Sequence, residues 1–582
     1  MGSRTFEGCT ALERVTLPDG VTAIMKDAFS GCSSLKEINV PSGLLSVGDG
    51  AFADCTALSA FDLPESVGII GKGAFTNSGL VKLNLPGKVK SLYASFSDCR
   101  NLKEVTLNKG LEYMEWAFTG CSSLEKVTLP DGLLGAEGAF ENCTSLKQVI
   151  FSGSAYYLWM TFYGCSALEE IVLPQSVTSL YGTFSGCASL KKVVLPEGLE
   201  KLENAAFYGC TALEGIVLPR SLTQIDSKAF AKSGIRSLTV PAGVQTIGWG
   251  AFENCAALES LVLQGVPKNV GEGILTGTPI YEAYLQSGER DLILSGVLFK
   301  AKAEEDDYTV PEGVVCIAAR AVSGNVIGVL VPEGVKYIGS EAFSDCPRLE
   351  IILLSEGLEE LGERAFAYLP LLEVTVPSTV KVIPGMAFYE CSRLYLVELK
   401  GATRIEYSAF AWCGALKEVI LPEGLLHIGA NAFNHCAALE KIDLPESLES
   451  MEQGAFAGTP FTDDARAEEG LLYLDGWLIA NTFTPQSKAE GTVKAGTVGI
   501  ATYALEGYRA VTVAASVRVL SLRSFGLYDT LKRENCIFED PENWTVGIGA
   551  PAYAEITETV CNLNDPEIPW STIYHYAAKK NA

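Results

Sequence analysis

Histidine is nearly missing from this chain: only His427, His435 and His575 occur in 582 residues. Proton-transfer chemistry needs convergent titratable groups, and none of the usual spellings for it is present. There is no H-E-x-x-H, no G-x-S-x-G, no phosphate-binding Walker loop and no dinucleotide glycine pattern. Calcium-loop spacing of the D-x-D-x-D-G kind is also missing, as are clustered C-x2-4-C zinc ligands. No apolar run approaches the roughly 20 residues that a membrane-spanning helix needs. Positive charge is scarce as well, with 44 Lys and Arg against 70 Asp and Glu, a net charge of −26 spread along the chain. Such a surface lacks the basic footprint that nucleic acid or anionic lipid requires, so neither partner is expected and no membrane insertion is expected. It is read as a solvated surface that keeps a long chain soluble. No basic start is followed by an apolar stretch, so no signal peptide is read. Met1-Gly2 falls in mid-repeat, and a truncated gene fragment is the expectation. Cofactors: none are expected.

What fills the chain is one stretch re-spelled. Leu35 to Thr56 reads LKEINVPSGLLSVGDGAFADCT, which follows the pattern L-x-x-I/V-x-L/V-P-x-G-V/L-x-x-I/V-G-x-x-A-F-x-x-C. The phenylalanine returns from Phe6 to Phe252 and from Phe343 to Phe456, in steps of 21 to 23 residues within each run. Phe525 closes the series; with Leu275, Val322 and Leu505 in the same slot there are 22 units. A fixed period in the twenties implies a solenoid. Ile38 and Val40 share one face of a short strand, Pro41 ends it for want of an N–H, and Ser42-Gly43 turns the chain. Leu44, Val47 and Phe52 then return to the core. One unit cannot bury these side chains by itself, whereas stacked units can.

The best copies, LKKVVLPEGLEKLENAAFYGC (Leu190 to Cys210) and LKEVILPEGLLHIGANAFNHC (Leu416 to Cys436), carry a resemblance. The spelling resembles the BspA-like leucine-rich repeats of bacterial and protist surface antigens, over nearly the whole chain. The fold this implies is a β-rich solenoid, a leucine-rich-repeat superhelix with short strands and turns. The resemblance further implies an exported, cell-surface protein engaged in adhesion.

Two breaks interrupt the period, each beginning with Gly-Thr-Pro, at Thr278 and at Thr459. Each continues through a polar stretch into a strand–turn–strand pattern around Ser295-Gly296 or Asp475-Gly476, the signature of a hairpin. Five segments follow: residues 1–274 form a first repeat run, 275–321 a double-length unit with a hairpin, and 322–456 a second run. Residues 457–505 form a second double-length unit, and 506–582 hold the last repeat and a C-terminal cap containing Trp544, Trp570, Tyr574 and Tyr576. Both long units are expected to stay in the stack.

Of the 17 cysteines, 14 stand three residues after the repeat phenylalanine, where Ser78, Ser233, Leu369 and Thr459 replace them in other units. That interchange favours buried free thiols, with disulfides between adjacent units and metal binding as the alternatives. Cys316, Cys536 and Cys561 lie off the ladder. His427 and His435 fall at variable positions and are read as surface residues. The acid pairs Asp306-Asp307, Asp463-Asp464 and Glu468-Glu469 are read as solvated loop residues, so no enzymatic activity is expected.

Surface remains. In five units between Val89 and Phe184 the second segment is one residue shorter, the glycine bend is lost, and aromatics arrive. These are Tyr93, Tyr113, Trp116, Tyr156, Tyr157, Trp159 and Tyr181, a candidate ligand-binding surface. The outward position of the first strand also turns apolar, at Ile150, Val172, Val194, Val217 and Val262. Either these side chains grip a ligand, or the tighter bend needs bulky filling and the valines reflect β-propensity. The leading expectation is a non-enzymatic, exported interaction protein that binds a host or bacterial surface protein, itself a monomer. The alternative is a carbohydrate-binding or accessory module of a larger surface enzyme.

Overall fold

The computed structural model describes residues 1–463, 466–468, 470–481, 490–506, 508, 510–521, 536–539, 544–548, 557–561 and 578–580. The chain divides into two compact units, Met1–Glu289 and Arg290–Ala582. Each is a solenoid of short parallel strands with a core inside the coil.

In the first unit most turns contribute two strands. The first strand of one turn pairs in parallel with its counterpart one period later, as Lys126–Leu129 does with Gln148–Phe151, with Val127 opposite Val149. The second strands form their own ladder, for example Ala23–Ile24 to Ser46–Val47 to Ile69–Ile70. A third line of hydrogen bonds runs past the phenylalanines. Gly50, Phe52 and Asp54 donate their amides to the carbonyls of Lys72, Ala74 and Thr76 at 2.9, 2.7 and 2.8 Å. Each turn thus satisfies its backbone polar groups with its neighbours, as a buried backbone must.

The core follows the same period. From Phe6 to Phe252 successive phenylalanine rings stack with centroids 5.2 to 6.0 Å apart and planes within 15°. Phe29, Phe52 and Phe140 are fully buried. Removing such a ring from water contributes about 1.5–3 kcal/mol per turn. The first turns are less filled than the repeat pattern implies: Ile38 and Val40 are only half-buried, whereas Leu83, Val127 and Leu129 are covered. Phe61 sits against both Phe52 and Phe75, at 4.8 and 5.0 Å, and thickens the core there.

The first break holds a helix that the repeat pattern did not indicate. Pro279–Ser287 is α-helical, with Thr278 accepting from the Tyr281 amide as its cap, proline at the start, and Gly288 left-handed at the end. These are the ordinary start and stop signals of a short helix.

The second unit opens on the first expected hairpin. Asp291–Leu294 pairs antiparallel with Val297–Lys302 across Ser295 and Gly296, whose φ values of 48° and 80° make a turn of the primed type. Val297–Lys302 then pairs in parallel with Cys316–Ile317, so the hairpin leads into the ladder. Val322, in the phenylalanine slot, is buried and donates its amide to Ala342 in the next turn. From Asp307–Thr309 to Lys441–Ile442 the first strands form one seven-stranded parallel sheet. The second hairpin, Leu471–Leu474 with Trp477–Asn481, repeats the arrangement, and its second strand pairs in parallel with Gly499–Ile500. The parallel ladder ends where Ala578–Lys580 lies antiparallel to Val519–Leu520 and to Trp544–Ile548. Phe525 and the cap residues Trp570, Tyr574 and Tyr576 fall outside the described residues, as does His575.

Candidate functional site

The aromatic surface arises from a backbone constraint. In full-length turns the residue after the inward isoleucine or valine is often glycine, because the preceding turn passes close by. A Cβ on Gly71 would lie 2.4 Å from the Asp49 amide nitrogen, and one on Gly248 2.4 Å from that of Ser227. In the five shortened turns this slot instead carries Tyr93, Glu115, Glu137, Trp159 and Tyr181, and Glu203 and Asp226 hold it in the next two.

The seven aromatic candidates lie in these five successive turns and fall into two clusters. The register aligns Ser91, Tyr113, Gly135 and Tyr157 in one column. Tyr93 meets Trp116 edge-on at 5.4 Å, and the Lys72 ammonium lies 4.8 Å above the Tyr93 ring. Two turns on, Trp159 contacts Tyr157 at 6.1 Å and Tyr181 at 6.2 Å. Between the clusters the turn of Gly135, Glu137 and Gly138 presents no aromatic ring. Tyr113 and Trp116 lean across it: a Cβ on Gly138 would fall 2.4 Å from the Trp116 ring, and one on Gly135 3.2 Å from Tyr113. Trp116 is accordingly half-buried and fills space, as the packing interpretation requires. Tyr93, Tyr113, Tyr156, Tyr157, Trp159 and Tyr181 are exposed, Tyr157 to 63%.

The apolar outward positions of the first strands also lie open. Ile150, Val172, Val194 and Val262 are exposed, and Val217 is 86% accessible. Ile150, Val172 and Val194 line a shallow groove of about 440 Å³ together with Gln148, Glu170 and Lys192.

Chemistry-bearing groups are dispersed. Among the described residues no cluster of three or more His, Cys, Asp or Glu is placed to hold a metal, and no helix is long and apolar enough to cross a membrane. Asp306, Asp307, Asp463 and Glu468 are exposed, while Asp464 and Glu469 fall outside the described residues. The described ladder cysteines carry free thiols, buried except at Cys9. Each buried thiol has a structural partner; Cys143 Sγ, for example, donates to the carbonyl of Phe118 at 3.2 Å. Burial pushes that thiol up to about 12. Cys316 is a buried free thiol too, whereas the side chains of Cys536 and Cys561 are not among those described.

His427 corrects the sequence reading. It is buried rather than superficial, because its neighbours one turn before and after, Arg404 and Ser450, close over it. Its Nδ1 lies 2.7 Å from Ser450 Oγ, and burial pushes its pKa below the ordinary value, with Arg404 adding to the effect. His435 is exposed as expected, yet it is not alone: its ring stacks on Trp412 with centroids 3.9 Å apart and planes at 7°. The two residues stand in the same slot of successive repeats, two places after Phe410 and Phe433, and meet through the stacking of turns.

A family model described as a BspA type leucine rich repeat region, in 6 copies, matches residues 1–103, 93–183, 181–292, 322–402 and 397–486. The chain belongs to the BspA-type leucine-rich repeat family. This BspA-type chain is similar to a leucine-rich repeat protein of Eubacterium ventriosum, at 24% identity over 60% of this chain and 87% of that one, with a TM-score of 0.29. It is similar to one from Bacteroides ovatus at 21% identity, over 78% and 82% of the two chains, TM-score 0.22. A leucine rich cell surface protein of Faecalibacterium prausnitzii shares 20% identity over 74% and 92%, with a TM-score of 0.23. No curated protein matches the chain.

Proposed function

We propose that this BspA-type protein is an exported or cell-surface, non-enzymatic interaction protein, a monomer that adheres to a surface protein of a host or bacterial cell. The carrying observation is the cluster of Tyr157, Trp159 and Tyr181, exposed rings held on a hydrogen-bonded ladder. Rigid aromatics lose little conformational freedom on binding and supply large contact area, which is why interfaces favour them. The cell-surface description of the Faecalibacterium relative supports the location. The test is affinity capture from host-cell and bacterial surface extracts on the immobilised full chain. Specific proteins should be retained, and the double substitution Trp159→Ala with Tyr181→Ala should release them without lowering the thermal midpoint. Equal retention by the double variant would refute the assignment of this surface.

A further inference from the structure

The two double-length turns are built alike, and one difference between them opens a pocket. In the first, Val297 and Leu298 pair with Cys316 and Ile317; in the second, Trp477 and Leu478 pair with Gly499 and Ile500. The Ala318 amide donates to the Leu298 carbonyl at 3.0 Å, and the Ala501 amide to that of Leu478 at 2.9 Å. This register matches Lys300 with Ala480, Ala319 with Thr502 and Arg320 with Tyr503. Arg320 and Tyr503 share a left-handed φ, 49° and 60°. In the first turn the Lys300 ammonium donates to the Arg320 carbonyl at 3.0 Å, so a charged side chain of the protein itself fills that place. Alanine is too short to do so in the second.

Where the lysine would lie there is a pocket of about 230 Å³. Ala480, Asn481, Thr502, Tyr503 and Glu506 line it, with Gln453 exposed at the rim. Among the described residues no Lys, Arg or His lines it. Thr502 is only 8% exposed, and among the described residues its Oγ1 has no hydrogen-bond partner. A buried hydroxyl left in this way is destabilising until something pairs with it. The Asn481 side-chain amide donates to the carbonyls of Ala504 and Glu506 at 2.8 and 3.0 Å, which holds the wall of the pocket in place. Glu506 is half-buried and brings a carboxylate to the same pocket.

We infer that this pocket binds a primary ammonium group, the head of a lysine side chain or of a small alkylamine, in the place that Lys300 takes in the first double-length turn. An ammonium offers three donors and no acceptor. The Tyr503 carbonyl, the Thr502 hydroxyl and the Glu506 carboxylate are acceptors, and the alkyl stem lies against Ala480 as it leaves the pocket. The net charge of −26 favours a cation over an anion or a neutral amide. This site belongs to the second unit and stands or falls apart from the Tyr157 cluster.

The experiment titrates the full chain calorimetrically with n-butylammonium, with Nα-acetyl-lysine amide and, as the uncharged control, with the same amide acetylated on Nε. At least one ammonium probe should bind, and the control should not. Binding of butylammonium alone assigns the pocket to small amines; binding of the lysine amide, with or without butylammonium, assigns it to lysine side chains. Ala480→Lys copies the first turn, so it should fill the pocket from within, abolish binding and keep or raise the thermal midpoint. Thr502→Val should weaken binding about ten-fold. It removes an unpaired hydroxyl, so it too should keep or raise the midpoint. Should Ala480→Lys lower the midpoint, Thr502→Val decides by itself. Trp159→Ala should bind the probes as the parent chain does. Failure of both ammonium probes, or equal binding of the control, would overturn the inference, as would undiminished binding in the two pocket variants.

Discussion

The thiol of Cys165 donates to the backbone carbonyl of Phe140, one turn earlier, at 3.1 Å. That carbonyl already accepts the Cys143 amide at 3.1 Å, so the cysteine supplies its second hydrogen bond. The same bond recurs at Cys55, Cys121, Cys187, Cys391 and Cys436. Serine also fills this slot: Ser78 and Ser233 are small and buried, and their hydroxyls pair with the next turn's thiols, Cys99 Sγ at 3.2 Å and Cys255 Sγ at 3.4 Å.

Cys165→Ser should therefore be nearly neutral, whereas Cys165→Ala should cost about 1–2 kcal/mol through a lost bond and a small void. Urea titrations of the three proteins check this. Equal losses for both variants would remove the hydrogen bond from the explanation.

Alkali should unfold the protein through the same ladder. Burial raises Cys55, Cys143 and Cys187 to about 12, above the roughly 8.5 of an unfolded thiol. A folded-state pKa raised in this way gives stability that is complete below the unfolded value and lost as pH climbs through the folded one. Stability should fall progressively between about pH 8.5 and 12, and do so less steeply as ladder cysteines are replaced by serine. At pH 8, Cys9 should outpace the other described cysteines in reaction with a thiol reagent, being the one that is exposed.

The phenylalanine stack should be intolerant of truncation. Phe140 lies between Phe118 and Phe162 at 5.6 and 6.0 Å. Phe140→Ala should cost about 3–5 kcal/mol, and Phe140→Leu roughly 1 kcal/mol because leucine already serves at Leu275 and Leu505. Denaturant midpoints decide it.

Two glycines should respond differently to alanine. At Gly71 the new Cβ meets backbone of the preceding turn at 2.4 Å, so the coil itself must move and a loss above ~2 kcal/mol is expected. At Gly138 it meets the movable ring of Trp116, and φ is +58°. Gly138→Ala should cost about 1–2 kcal/mol and expose Trp116, visible as a red shift of tryptophan emission.

Much of this was legible in the sequence, because a repeat states its core many times over. The Ala-Phe pair, the buried thiols and the turns at Ser295-Gly296 and Asp475-Gly476 follow from local chemistry and period. The helix at Pro279–Ser287 is not part of the repeat, and its signals, Thr278, Pro279 and Gly288, are local ones that the period does not carry. His427 was read as superficial because a variable position says nothing of what stacks above it. Trp412 and His435, by contrast, stand in one repeat slot, two residues after Phe410 and Phe433, so their stacking is written in the period. The seven aromatics of the first unit are visible in the sequence of the shortened turns, but their division at Gly135 and Gly138 depends on which neighbour each ring leans over.

The central claim is that each turn is covered by the turns before and after it. Amide hydrogen exchange tests it most directly. The amides of Phe118, Phe140 and Phe162, which donate to Ala139, Thr161 and Thr183 of the following turns, should all exchange slowly and alike. If they exchanged as fast as the exposed turn glycines Gly20 and Gly43, the turns would not be stacked and the account would be wrong.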